Sequence, residues 1–117
     1  MAVALPSRYF SDLVEMLERD LGLSARDLAG AVGVSQRTVE RWRHGAVPQE
    51  ETLKRLDTLV ELHHRLSESF KSMGATRAWL HRPNEYLRGM EPVDALRVGR
   101  PQQVHNALEI IDSGMFL

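Results

Sequence analysis

The chain has no cysteine, which excludes disulfide bridges and thiolate metal sites and suits a reducing compartment. It has no apolar stretch long enough to span a bilayer. Its opening, MAVALPSRYF, lacks both the basic stretch and the apolar run of a signal peptide, so the expectation is a soluble, cytoplasmic protein with no membrane association. It has almost no net charge, −1, which argues against a general nucleic-acid binder and leaves room only for a local basic patch. It contains no G-x-G-x-x-G or Walker pattern, and no nucleophile–base pair or carboxylate dyad stands out, so no catalytic residue, cofactor or enzyme activity is expected. Strand-like alternation, internal repeats and low-complexity segments are absent too. What remains is a chain of 117 residues, 43% hydrophobic and 26% charged, suited to one helical domain or to a small DNA-binding module fused to a second small unit.

The most informative stretch is LAGAVGVSQRTVERW, residues 28–42. Leu28 and Val32 are four apart and share one helical face, while Val39 and Trp42 are three apart on the next helix. Gly33 stands where the first helix must stop in a left-handed residue. Val34 is expected to bury in the turn, and Ser35 to cap the second helix by accepting from its unpaired backbone N–H groups. Ala29 is small enough for the second helix to cross close against it. This spacing predicts a helix-turn-helix. Its second helix would present Ser35, Gln36, Arg37, Thr38, Arg41 and Arg43 to double-stranded DNA. Between Ser35 and Gly45 three arginines stand against one acid, Glu40. Arginine at 37 and 41 suits guanine edges, and Arg43, nearer the helix end, suits a phosphate. The first helix carries Asp12, Glu15, Glu18 and Asp20 and cannot lie against phosphates. So small a patch binds weakly alone, which favours a homodimer reading two half-sites.

Around this motif the pattern is helical throughout. Ser7 to about Leu21 reads as a helix burying Phe10, Leu13, Val14, Leu17 and Leu21, and Ser24 with Asp27 forms a capping box for the next. Gln49 to about Ser72 reads as a long helix whose leucines, with Val60 and Phe70, cover more than one face and so need more than one neighbour. Proline starts and glycine ends then recur at Pro83 and Gly89, Pro92 and Gly99, and Pro101 and Gly114, which predicts three further helices. Val104, Leu108 and Ile111 form a core stripe on the last. The expected organisation is all-α: a helix-turn-helix region over 1–48, a connecting helix over 49–72 and a small helical unit over 73–117.

The C-terminal residues carry a family likeness. Trp79 and Leu80, Pro83 and Asn84, Leu87, Gly89, Pro92, Asp94, Leu96, Gly99, Val104, Leu108, Ile111, Gly114 and Phe116 resemble the toxin-binding domain of the Xre–MbcA–ParS antitoxins. In that family an Xre-type helix-turn-helix precedes this domain, as here, and the resemblance covers roughly residues 24–117. It implies an antitoxin of a type II toxin–antitoxin pair whose partner is a RES-domain toxin, an enzyme that destroys NAD. It implies further that the antitoxin's C-terminal end plugs the toxin's active site, and that the complex binds its own operon's promoter. Gly114, Met115, Phe116 and Leu117 match the family's glycine-then-apolar ending, and the plug role falls on them by that resemblance. Exposed apolar residues at a chain end independently suit a partner surface; folding of Phe116 onto the last helix is the alternative. Two other readings stay open: a stand-alone Xre-type repressor whose C-terminal part only dimerises or senses a signal, and an interaction module with a vestigial helix-turn-helix.

The remaining chemistry is sparse. His63 and His64 are adjacent, so on a helix they point about 100° apart and do not share a metal's ligand sphere. No metal site is expected. Trp42, Trp79 and Tyr86 read as core aromatics.

Overall fold

A computed structural model describes residues 8–114, and among them every regular element is helical. In chain order these are α1 (Tyr9–Leu21), α2 (Ala25–Val32), α3 (Gln36–Arg43), α4 (Glu50–Ser69), α5 (Met73–Leu80), a 3-10 turn (Glu85–Leu87), α6 (Pro92–Arg97) and α7 (Pro101–Ser113). The all-α class read from the pattern is therefore what the chain adopts. Among the described residues no helix is long and apolar enough to cross a membrane.

Local chemistry sets most boundaries. Ser24 caps α2 in a reciprocal capping box with Asp27, each side chain bonding the other's backbone N–H at 3.0 Å. Gly33 ends α2 at φ +73°, a conformation that L side chains avoid. Ser72 caps α5, a helix absent from the sequence reading, by accepting from the Ala75 N–H at 3.0 Å. The long helix therefore stops at Ser69, and Phe70 is already extended. Between Pro83 and Gly89 the expected helix is only a 3-10 turn, because Asn84 caps so short a segment that Arg88 already turns left-handed.

One core joins all these elements. Phe10, Val14, Leu17 and Leu21 of α1 are buried, with Leu13 only half-buried. α4 runs through the middle and touches α1, α2, α5 and α7, burying Leu56, Leu59, Leu62 and Leu66. Several neighbours are what its broad apolar coverage required. In α7, Val104, Ala107 and Leu108 are buried and Ile111 is half-buried. Trp79 is buried against Phe70, ring centres 5.5 Å apart, and Trp42 is buried too. Tyr86 departs from the expected core role. It stands 39% exposed on the 3-10 turn, since three residues are too few to turn a ring inward alongside Leu87.

The C-terminal helices dock on the helix-turn-helix chiefly through α6, which packs most extensively on α2. A Cβ on Gly30 would lie 1.9 Å from the Arg97 carbonyl oxygen, so only glycine permits this approach. Beside it, Arg97 Nε donates to the buried Asp27 carboxylate at 2.6 Å. Side chains of α5 and of the residue just past it close the C-terminal end of α1, where carbonyls lack intrahelical partners: Arg77 donates to Arg19 O at 3.1 Å and His81 lies 3.2 Å from Leu21 O.

Candidate nucleic-acid interface

Two buried residues, Val39 and Trp42, fix which way α3 faces. With that stripe turned to the core, Gln36, Arg37 and Arg41 lie exposed. Arg37 and Arg41 are four apart on one helical face, and among the described residues neither forms an ion pair. The acid between them is otherwise engaged: Glu40 accepts from Arg43 Nε at 3.1 Å and lies 3.4 Å from His44 Nε2. The exposed face of α3 thus offers two arginine forks and an amide, which match base edges and phosphates.

The other expected contacts are placed differently. The Ser35 hydroxyl accepts from the Thr38 N–H at 3.1 Å and lies 3.0 Å from the Thr38 hydroxyl, so both hydroxyls work at the helix start. Arg43 turns back towards α1 and pairs with Glu18 as well as Glu40. The hydrogen bond to Glu18 raises its pKa further, against a smaller opposing effect of burial. Arg43 therefore locks α3 onto α1, and Gln36, Arg37 and Arg41 are the residues that the fold leaves together and free-facing. Val47, absent from the sequence reading, is 72% exposed just beyond α3 and borders a small cavity with Thr38, Arg41 and Gln49. It lies in no periodic pattern, so nothing in the sequence flagged it.

The remaining titratable residues are bound up in packing between helices. His63 lies 2.9 Å from the Asp20 carboxylate, and His64 lies 3.0 Å from Glu68 on its own helix. Burial pushes the Asp20 pKa up, but hydrogen bonds from His63 and Arg19 outweigh this and lower it. Arg65 bridges α4 to α7, donating to Glu109 at 2.9 Å and to His105 Nδ1 at 3.1 Å. Burial, then the Arg65 charge, holds the His105 pKa below its ordinary value.

At the other end of the molecule, Gly114 terminates α7 in a left-handed residue, φ +70°, and is exposed. Met115, Phe116 and Leu117 lie outside the described residues. The frame up to Gly114 places an open helix end at the point where the expected partner-binding tail begins.

Comparison with known proteins extends over this whole frame. A family profile described as helix-turn-helix matches residues 13–63, from within α1 into α4. The protein named "Probable mycobacterial cidal antitoxin Rv3188" of Mycobacterium tuberculosis is 35% identical over 107 residues, covering 92% of this chain and 90% of that protein. The chain belongs to the MbcA-type antitoxin family. Mycobacterial cidal antitoxin MbcA, from M. tuberculosis and from Mycobacterium bovis, is 32% identical over 98 residues, covering 83% of this chain and 86% of MbcA. A chain in the crystal structure of the M. tuberculosis MbcT–MbcA toxin–antitoxin complex superposes with a TM-score of 0.66 at 28% identity, covering 93% of this chain and 98% of that one. The family read from the C-terminal residues is thus borne out. In this MbcA-type chain the family match runs beyond the helix-turn-helix, so the C-terminal helices belong to the shared architecture.

Proposed function

We propose that this chain is the antitoxin of a type II toxin–antitoxin pair. Its partner is a RES-domain toxin that degrades NAD, and it inhibits that toxin by seating its C-terminal end, Gly114 to Leu117, in the active site. The same chain, cytoplasmic and without enzymatic activity of its own, binds its operon promoter through Gln36, Arg37 and Arg41 of α3. The observation that carries the reading is near full-length similarity, on both sides of the match, to a chain solved within a toxin–antitoxin complex. The rigid α7 ending in an exposed left-handed glycine supports the plug, because a short apolar peptide on such an end reaches into a concave site and anchors by its aromatic ring. The division at residues 48 and 72 is one of labour: α3 reads DNA, α4 connects, and the helices beyond face the toxin.

Co-expression with the RES-domain protein of the same operon tests this. The two copurify and NAD loss stops, whereas deletion of residues 115–117 restores NAD consumption while leaving the fold intact. A truncated chain that inhibits as well as the full one refutes the plug. Tight promoter binding with no effect on any such enzyme favours the stand-alone repressor.

We propose that the homodimer forms across the groove between α1 and α4, a cavity of about 380 Å³ lined by Tyr9, Phe10, Leu13, Leu53, Lys54 and Val60 among others. Glu50 and Asp57 border it with Lys54, so an antiparallel two-fold copy that sets Lys54 against a carboxylate of its partner is the arrangement this proposal requires. Leu62 and Leu66 are fully buried, and a charge there unfolds the chain. The discriminating variant is Leu53→Glu, expected to give a folded monomer by light scattering; a wild-type monomer at high concentration refutes the dimer.

A further inference from the structure

One surface of the C-terminal unit carries arginines that, among the described residues, no carboxylate pairs with. Between the 84–90 loop and α7 lies a cleft of about 430 Å³ bordered by Tyr86, Arg88, Met90, Arg100, Gln103 and Ile110. No acid lines it, and among the described residues neither Arg88 nor Arg100 forms an ion pair. Its rim is also apolar: Tyr86 is 39% and Met90 41% exposed.

The loop that presents Arg88 is held against its own backbone preference. Arg88 is the only non-glycine among the described residues in the left-handed region, at φ +58°. Asn84 clamps the segment: its carbonyl accepts from the N–H groups of Leu87 and Gly89, its side chain accepts from the Tyr86 N–H, and its own N–H donates to Met90 O. A glycine at position 88 would fit this turn with less strain. An arginine there is costly to the fold and useful only for what its side chain meets.

We propose that this cleft is a second docking surface for the toxin, receiving an acidic segment whose carboxylates reach Arg88 and Arg100 and whose apolar side chain seats among Tyr86, Met90 and Ile110. The inference rests on the antitoxin reading given above. Charge selects the occupant, since an unneutralised arginine pair fits carboxylates and repels a basic segment. Position supports it as well. Gln103 and Ile110 are seven apart on one face of α7, so the cleft runs along that helix towards Gly114, where the proposed plug begins. The tail then supplies inhibition, and the cleft supplies grip and partner choice.

Binding of the RES-domain protein of the same operon, measured at low and high salt, tests this. Arg88→Gly is expected to raise the melting temperature of the free antitoxin yet weaken the complex by about tenfold, chiefly through slower association. Arg88→Lys retains most of the affinity. Arg100→Gln, an exposed position, weakens binding without changing the melt and flattens the salt dependence. If Arg88→Gly and Arg100→Gln bind as tightly as wild type while deletion of 115–117 weakens binding, the cleft is overturned and the plug stands. If the wild-type chain does not bind the toxin at all, both fall.

Discussion

In α2 and α3 the large apolar side chains turn inward and the surface of α3 is left to Gln36, Arg37, Glu40 and Arg41; between Tyr86 and Val98, by contrast, three large apolar side chains remain exposed. The first region is helix and the second shows its apolar side chains from a 3-10 turn, a loop and a helix end, so the two present opposite chemistry. The proposed contact with bases and phosphates needs polar forks on a rigid helix, and α3 is stapled on its other face by Val39, Trp42 and the Arg43–Glu18 pair. The proposed protein partner instead rewards apolar area, which Tyr86, Met90 and Val98 leave outside. They differ in support as well. α2 and α3 are closed by serine caps, whereas α6, capped by Asp94 accepting from the Glu91 N–H at 3.2 Å, is tied besides to a partner 70 positions away in sequence, Asp27 with Arg97.

The comparison breaks hardest at its most buried points. Trp42→Ala should remove about 3–5 kcal/mol, much of a small domain's stability, and abolish the reading head first; a thermal melt equal to wild type would show the ring to be dispensable. Gly30→Val should cost about 3 kcal/mol or more, since the new side chain meets backbone that cannot step aside. Hydrogen exchange should show protection lost in α6 and α7 before α3, and uniform loss would mean that the two halves are not separable.

Asp27→Asn probes the joint more gently, at about 1–3 kcal/mol, by taking the charge from the bond to Arg97. Burial pushes the Asp27 pKa up, but bonds from the Ser24 N–H and from Arg97, with the Arg97 charge, outweigh it and hold the value low. Folding therefore favours the ionised form. The contribution is complete above the ordinary carboxylate range and is lost as pH falls below about 4 through the lowered folded value. Denaturant midpoints measured from pH 7 downward should fall less steeply in Asp27→Asn than in wild type. The smallest effect on stability belongs to Arg37→Ala and Arg41→Ala, which touch nothing in the core. Each should cost about 1–3 kcal/mol of discrimination between promoter and random DNA, read by gel shift at several salt concentrations. An unchanged double variant would move the reading surface elsewhere.

The legibility of the chain follows the same line. Leu28 with Val32, Gly33, Ser35, and Val39 with Trp42 announce themselves because helix period, cap and turn act over a few residues, and the structure places each where its spacing required. Gly30 went unremarked in the sequence, and its necessity appears only when α6 arrives against it. Asp27 was legible as a cap and illegible as an ion-pair partner. Arg43 was read as facing outward because its position near the helix end says nothing of Glu18 on another helix. Tyr86 was assigned to the core by its residue type, while the turn that carries it is too short to obey that rule.

The contact of Gly30 with the Arg97 carbonyl also limits how such proteins can be recombined. A reading head taken from another regulator will accept this C-terminal unit only if its second helix has glycine at the matching place, whatever DNA it recognises. Even alanine there carries the Cβ that collides. Shuffling of heads and partner-binding units is thereby restricted to those heads whose second helix leaves that one gap, and a chimera built without it should express as two loosely tethered pieces.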